Sequence, residues 1–588
     1  MIVYGCGVSA ASGFGLATRW RIAVALPRKE VVGATAIATV LSLAVVLLDL
    51  TGADTAAHRY LTAVFAQSGW FTWDNYWYAG RYSIVNYSVL FYPLAAVVGL
   101  SVVGVCSVAV AAGVFAAIVL RQWGRSALLA IVLFACSVPE LLVAGQFPFA
   151  LGVALALLAL AAAQRRQPWL VVAGSLLTIL ASPLAFVFLV ITLAGMVLGS
   201  GRARRLERDV AIPAAAIVLM VIGEIVVYRA FPGGGTFPHT TFDMIGITIF
   251  PLTGLLLARN DRRLRPLVGL FAVYGVVGWS AILIASPLGG NIARILEFAA
   301  APLLALVIAV HRPRPLVLGI AALATALVWQ GSPLVRHLTD GIQGQAEAAP
   351  AYWSPVTAFL DEHDAGRTIG RDYRVEIVAT GQHWESYYVT RAPHRQQVAI
   401  ARGWYRQNDF PSNQVLYDQN LSIEAYRAWL RRMSVQYVFL PLHAKLDGSS
   451  LVEAGLVASG RSGLTELPIA SPNWRAFKVP DPSPMLTPPA ASGAAAAQTE
   501  VVFQSRERFV LNAPVAGTYV LRVHYAPYWR SDDPSAACVE RGPNGFMQIV
   551  VRDPGLVPLG YDSTFGEALS VAGGSRPTCD SFSPTPPS

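Results

Sequence analysis

Long apolar runs recur through the first 331 residues, at 31–50, 89–120, 126–140, 147–163, 168–181, 184–199, 209–229, 243–258, 266–286, 295–310 and 315–331. A helix needs about 20 apolar residues to cross the hydrocarbon of a bilayer. The runs therefore predict an α-helical polytopic membrane bundle of eleven transmembrane helices, several of them short for the task. The run 89–120 is too long for one crossing. Its start, around Tyr92 and Pro93, reads as an interfacial or re-entrant piece ahead of the span.

Beyond 331 the pattern changes to that of a water-soluble chain. Residues 332–480 mix a helix-like piece, IEAYRAWLRRM, with strand-like runs, RVEIVAT and VQYVFLPL, which predicts an α/β or α+β domain. The stretch 481–499 is rich in Pro, Ala and Ser and reads as a flexible linker. In 500–588 the alternating runs VVFQSRERFVLNAP, GTYVLRVHYAPYW and GFMQIVVRDPG are divided by Gly, Pro and Asp, which predicts a C-terminal β-sandwich.

Composition agrees with a membrane chain: 54% of residues are hydrophobic against 13% charged, which excludes an ordinary soluble protein. The net charge of +9 sits in scattered loop arginines rather than on one basic face, so it reports topology, not a nucleic-acid partner. Under eleven spans the loops on one side collect Arg19, Arg21, Arg28, Lys29, Arg121, Arg125, Arg165, Arg166, Arg202, Arg204, Arg205, Arg208, Arg259, Arg262, Arg263, Arg265, Arg312 and Arg314. The other side keeps only Arg59, Arg81, Arg229 and Arg294. Positive loops stay cytoplasmic, so the expected protein is a multi-pass plasma-membrane protein with a cytoplasmic N-terminus and extracytoplasmic C-terminal domains. The first thirty residues carry their charges after the apolar part and do not read as a cleavable signal peptide.

Cys6, Cys106 and Cys136 fall in the cytoplasmic or membrane part, and Cys538 and Cys579 in the external part, where a disulfide between them is expected. No Walker A motif and no Cys/His zinc pattern is present, so no cofactor is called for.

Candidate chemistry concentrates in the loop 51–88, TGADTAAHRYLTAVFAQSGWFTWDNYWYAGRYSIVNYS, between the first two apolar runs. Acids are costly at a membrane boundary, which singles out Asp54 and Asp74, with His58 one helical turn beyond Asp54. Asp54 also suits the N-cap of the segment TAAHRYL, and Asp74 suits a turn. Trp70, Trp73, Tyr76, Trp77 and Tyr78 read as a sugar- or lipid-facing wall or as an interfacial aromatic belt. Arg294, with Glu297 one turn on, stands where a lipid phosphate would arrive, or pairs with Glu297. Arg81, Glu140 and Gln146 are further polar groups at the same edge. Glu224, deeper in an apolar run, is either protonated and hydrogen-bonded within the bundle or faces a wet cavity.

The layout resembles the GT-C superfamily of membrane glycosyltransferases, and most closely its actinobacterial and related bacterial members. The resemblance rests on the acid-bearing loop GADTAAHRYLTAVFAQSGWFTWDNYWYAGRYS, on GQFPFALG and GGNIARILEFAAAP in the bundle, and on ARGWYRQNDFPSN, AYRAWLRRMSVQYVFL and VHYAPYW beyond it. It implies a polyprenyl-phosphate sugar donor, a cell-envelope glycan or lipid acceptor, and Asp54 as general base. His58, Asp74, Trp77, Tyr78, Arg81, Gln146, Arg294 and Glu297 would then bind substrate. Many members pair two acids in this loop. Here Asp49 and Asp54 stand five apart with no DxD, so a divalent metal is not supported. A lipid or solute transporter and a glycan-binding scaffold are the other classes the layout admits.

Overall fold

The computed structural model describes residues 28–200, 207–233, 235–313, 315–363, 372–391, 397–405, 408–410, 413–490, 493–579 and 582. The expectations attached to residues 1–27, including Cys6, and to Arg202, Arg204, Arg205 and Arg314 lie outside the described residues.

Each of the eleven apolar runs is helical. The helices are α1 (Lys29–Leu47), α2 (Asp54–Ser68), α3 (Phe91–Val98), α4 (Leu100–Trp123), α5 (Leu128–Ser137), α6 (Glu140–Val143), α7 (Phe147–Gln164), α8 (Pro168–Ala181), α9 (Pro183–Ser200), α10 (Arg208–Ala230), α11 (Thr241–Ala258), α12 (Arg265–Leu283), α13 (Arg294–His311) and α14 (Leu316–Gln343). Nine helical stretches among the described residues are long and apolar enough to cross a membrane, the mark of a membrane protein. The clearest case is α10, which leaves Val218, Leu219, Ile222 and Ile225 exposed, a surface that water would penalise and lipid would not. The stretch Leu100–Val143 folds back on itself at Gly124, where φ is +59°. Phe115 of α4 and Phe134 of α5 stack with centroids 4.0 Å apart, whereas nineteen residues of unbroken helix would separate them by about 28 Å. The long run 89–120 is divided at Gly99, φ +99°, into the short α3 and the long α4.

Successive helices run up and down, so one set of helix ends is gathered together. Gly341 of α14 lies against Leu50 beyond α1, Gly52 against Val143 of α6, and Gly289 and Gly290 before α13 against Phe237 and Pro238 before α11. The C-terminal part of the chain sits on this same end. Tyr528 donates to the carbonyl of Ala230 at 2.7 Å, Asn408 to Gly233 at 2.9 Å, and Gln382 to Asp340 at 2.7 Å.

Among the described residues that part contains three four-stranded sheets. The first, ordered β3 (Arg374–Ile377), β4 (Val435–Pro441), β6 (Trp474–Lys478), β5 (Thr465–Leu467), is parallel between β3 and β4 and antiparallel elsewhere, with helices Pro350–His363, Ile423–Arg432 and Leu451–Ala458 in the intervening sequence. The other two are antiparallel: β12 (Ala537–Arg541), β13 (Phe546–Val551), β10 (Gly517–His524), β7 (Leu486–Thr487), and β11 (Trp529–Ser531), β14 (Gly555–Tyr561), β9 (Arg508–Ala513), β8 (Glu500–Gln504). Alternate residues of both, such as Phe509, Leu511, Tyr519, Leu521 and Ile549, enter one buried core, which is why these segments alternate in sequence. Cys538 and Cys579 are joined by a disulfide. The stretch expected to be a flexible linker, 481–499, instead supplies β7. Leu486 is buried in the shared core, and burying it fixes the backbone around it.

The loop after α2 clamps bundle and C-terminal part together. Trp73 and Asp74 (β1) pair with Arg81 and Tyr82 (β2), and the turn between them places Tyr78, Ala79 and Gly80 at φ +56°, +55° and +99°. At Gly80 a Cβ would come within 2.6 Å of the Trp73 ring, so glycine is required there on both counts. Trp73 stacks on Tyr561 at 5.6 Å inside the two-sheet core. Trp77 donates to the carbonyl of Ser386, Tyr78 to that of Tyr405, and the amide of His524 donates to Ala79. Neither expectation for the aromatic cluster describes it. Trp73, Tyr76, Trp77 and Tyr78 are buried between parts of one chain, and Trp70 alone of the five is exposed.

Candidate functional site

The site lies where the gathered helix ends meet the C-terminal part. Helix α2 begins at Asp54, two residues after the tight contact of Gly52 with Val143, and Gly145 of the α6–α7 turn packs on Asp54 and Thr55. Ala53 holds the N-cap position and Asp54 makes no capping hydrogen bond. Oδ2 of Asp54 is buried without a partner among the described residues. Loss of water pushes the carboxyl up to about 6, against the opposing pull of Arg294 and His383. It is therefore a carboxylate at neutral pH with substantial affinity for a proton.

His58, one turn along, meets the Tyr92 hydroxyl at 3.1 Å through Nδ1, and its Nε2 has no partner among the described residues. Tyr87, Phe147 and Trp404 pack around its ring. Burial, reinforced by the charge of Arg294, lowers its pKa to about 3, so His58 is neutral and adds no charge beside Asp54.

Two guanidiniums face the neighbouring cleft. Arg294, at the start of α13, makes no hydrogen bond and no ion pair with Glu297 among the described residues; its charge acts on Asp54 and His58. Arg81 is 8% exposed, lies over the Tyr405 ring at 4.0 Å, and leaves Nε and Nη1 without a hydrogen-bond partner among the described residues. Asn291, Trp404, Asn408 and Glu224 complete the polar and aromatic wall, with Leu184, Val187 and Val227 on the apolar side. Of the two readings of Glu224, the cleft-lining one describes its position.

Other predicted residues fall into two groups. Gln146, Glu140 and Glu297 each bury at least one oxygen without a partner at the same end of the bundle, and Glu140 has His337 3.8 Å away. Asp74 is fully buried and spent on structure, accepting from the Tyr60 hydroxyl at 2.9 Å and the Tyr76 amide at 3.1 Å. Trp77 and Tyr78 belong to the clamp and are closed to a ligand.

Sequence reasoning missed His383. It reaches Glu385 at 3.2 Å and Asp447 at 3.7 Å, and its charge is felt at Asp54. Burial opposes that charge, but the two carboxylates outweigh it and raise the pKa to about 10. Trp404, Tyr405 and Asn408 were missed as well; they sit in the quoted segment ARGWYRQND, but only the fold shows that it returns to the bundle.

Among the described residues no group of three or more His, Cys, Asp or Glu side chains could hold a metal ion. No protein-family model matches the chain, and no curated protein sequence matches it.

Proposed function

We propose that this chain is a plasma-membrane glycosyltransferase of the GT-C type, moving a sugar from a polyprenyl-phosphate donor to a cell-envelope glycan or lipid acceptor on the extracytoplasmic side. In this reading the eleven helical runs are the bundle, the N-terminus is cytoplasmic, and the α/β unit and β-sandwich are external. The observation that carries it is the nearness of a buried carboxyl, Asp54, whose Oδ2 has no partner among the described residues, to a cleft that holds two guanidiniums, Arg294 and Arg81. A donor phosphate lies against the guanidiniums, and its lipid chain follows Leu184, Val187 and Val227. Asp54 takes the proton of the acceptor hydroxyl as that oxygen bonds to the anomeric carbon. The bond from the anomeric carbon to the phosphate oxygen breaks, and polyprenyl phosphate leaves with the electron pair. Its new charge is stabilised by the arginines.

The test is an assay of purified protein with a panel of polyprenyl-phosphate sugars and envelope glycan acceptors. Acceptor-dependent release of polyprenyl phosphate is expected for at least one donor. Translocation of a donor across vesicles without any turnover would replace this reading with transport.

A further inference from the structure

The helix Phe565–Ala572, which follows β14, packs beside the end of a membrane-spanning helix. Thr564 caps its start, accepting from the Glu567 amide at 3.4 Å, and at its other end Arg576 Nη1 donates to the Val571 carbonyl at 3.1 Å. Val571 is 3% exposed, and with Ala568 and Ala572 it turns one side of the helix into the core that also takes Val227, Ala230 and Phe231. Val227 stands three residues, about 4.5 Å of helix rise, before the last residue of α10. With 23 residues α10 is about 34 Å long, so its last turn lies where the hydrocarbon of a bilayer gives way to headgroups. A helix packed on that turn lies at the same depth.

Its other side suits lipid better than water. Phe565 is 80% exposed, and Leu569, one turn on and on the same face, is 46% exposed. The one acid of the helix, Glu567, meets Arg530 at 3.2 Å. Arg576 is exposed just past the helix, and its charge reaches Tyr528, whose hydroxyl bonds the Ala230 carbonyl; Arg229 is exposed in the last turn of α10. Two apolar side chains on one face, with arginines at headgroup depth, are the pattern of a helix that lies in a bilayer interface. We infer that Phe565–Ala572 is an interfacial helix: Phe565 and Leu569 enter the leaflet at the end of the bundle that carries the C-terminal part, and Arg229 and Arg576 meet its phosphates. The two-sheet unit then rests on the bilayer as well as on α10. Lipid is the occupant of this face because the helix is held on the last turn of α10, whose exposed Ile222 and Ile225 already need lipid around them. The inference is independent of the chemistry at Asp54 and of which side of the membrane that end faces.

The test places a nitroxide on Phe565→Cys or on Leu569→Cys in the full chain, with Cys6, Cys106 and Cys136 replaced by alanine. The protein is reconstituted in nanodiscs of phosphatidylcholine and phosphatidylglycerol and read by power-saturation electron paramagnetic resonance. Oxygen collects in lipid and a nickel chelate stays in water, so their relative access reports depth. Both labels should meet oxygen more readily than the nickel chelate, by about threefold or more. Each variant should keep the wild-type melting temperature, since both side chains are exposed on the protein itself. Greater access to the nickel chelate at either label would put the face in water. Little access to both reagents at either label would put protein over it, a second copy of this chain included. Either result would overturn the inference.

Discussion

Gly145 touches Asp54. At φ +80° it brings the α6–α7 turn so close to the start of α2 that a Cβ there would lie 3.1 Å from the Cβ of Asp54 and 2.8 Å from the backbone nitrogen of Thr55. Two penalties follow for Gly145→Ala: a left-handed backbone that disfavours a side chain, and a clash with main chain that cannot rotate away. The variant should lose about 1–3 kcal/mol of stability, and turnover should drop by about 10-fold or more through misplacement of the carboxylate. Thermal denaturation and turnover, measured together, check both. Wild-type turnover in Gly145→Ala would remove the need for a fixed start to α2.

A base with its pKa near 6 sets the sign of the pH dependence. Asp54 acts when unprotonated, so kcat/KM should be flat above about pH 6 and fall about tenfold per unit below it. Asp54→Asn keeps the size of the side chain and removes the charge. It should retain detergent stability and cut turnover by about 100-fold or more, with the acid limb gone from what remains. An Asn variant with normal turnover would move the base to another group, Glu140 being the nearest in kind.

Much of this arrangement was legible in the sequence, and the reasons for the rest are physical. Apolar length exposes helices directly, so the eleven long runs could be read one by one, and period-two alternation did the same for β9 and β10. Asp54 stood out because charge is rare beside such runs. The aromatics of WFTWDNYWYAG were misread because the same Trp and Tyr that suit a membrane interface also suit a dry contact between domains. The role of His383 depends on contacts with Glu385 and Asp447, and on a charge that acts at Asp54, which no local pattern encodes. The β7 segment was hidden by flanking prolines and alanines, although Leu486 needs only two residues of pairing to be buried.

His383 gives a prediction with two readouts. Its folded pKa, about 10, lies above the ordinary value of 6.5, so its charge contributes stability that is fully present below about pH 6.5 and is lost as pH rises through about 10. His383→Gln should flatten that alkaline loss in melting experiments. Because its charge also lowers the Asp54 pKa, the same variant should move the acid limb of kcat/KM to higher pH. A limb that stays in place would mean that His383 holds the local fold and does nothing to the base.

Trp73 joins the loop after α2 to the two-sheet core through Tyr561 and donates to Asn75 at 2.6 Å. Trp73→Ala should cost about 3–5 kcal/mol in the melting of the C-terminal part. Limited proteolysis should then cut between α10 and the two-sheet unit more quickly. Cys538→Ser acts on the same unit by a different route, releasing a 41-residue closure worth about 4 kcal/mol in the loop-entropy model. Unchanged melting in both variants would show that the two-sheet unit is held by its own core alone.

Sidedness is the prediction on which the extracytoplasmic chemistry depends. Ser68 and Ser354 are exposed at the end of the bundle that carries the C-terminal part, and Gln167 is exposed in the turn between α7 and α8 at the other end. Cysteine placed at each position, with Cys6, Cys106 and Cys136 replaced by alanine, reports which end faces outward. A membrane-impermeant maleimide should label Ser68→Cys and Ser354→Cys in intact cells and Gln167→Cys only after permeabilisation. The arginine-rich loops flank Gln167, and moving them across the bilayer would oppose the charge bias that sets orientation, so the expected labelling follows from the same residues that fix topology. Labelling of Gln167→Cys in intact cells, with Ser354→Cys protected, would place Asp54 and its cleft in the cytoplasm and require a donor presented from that side.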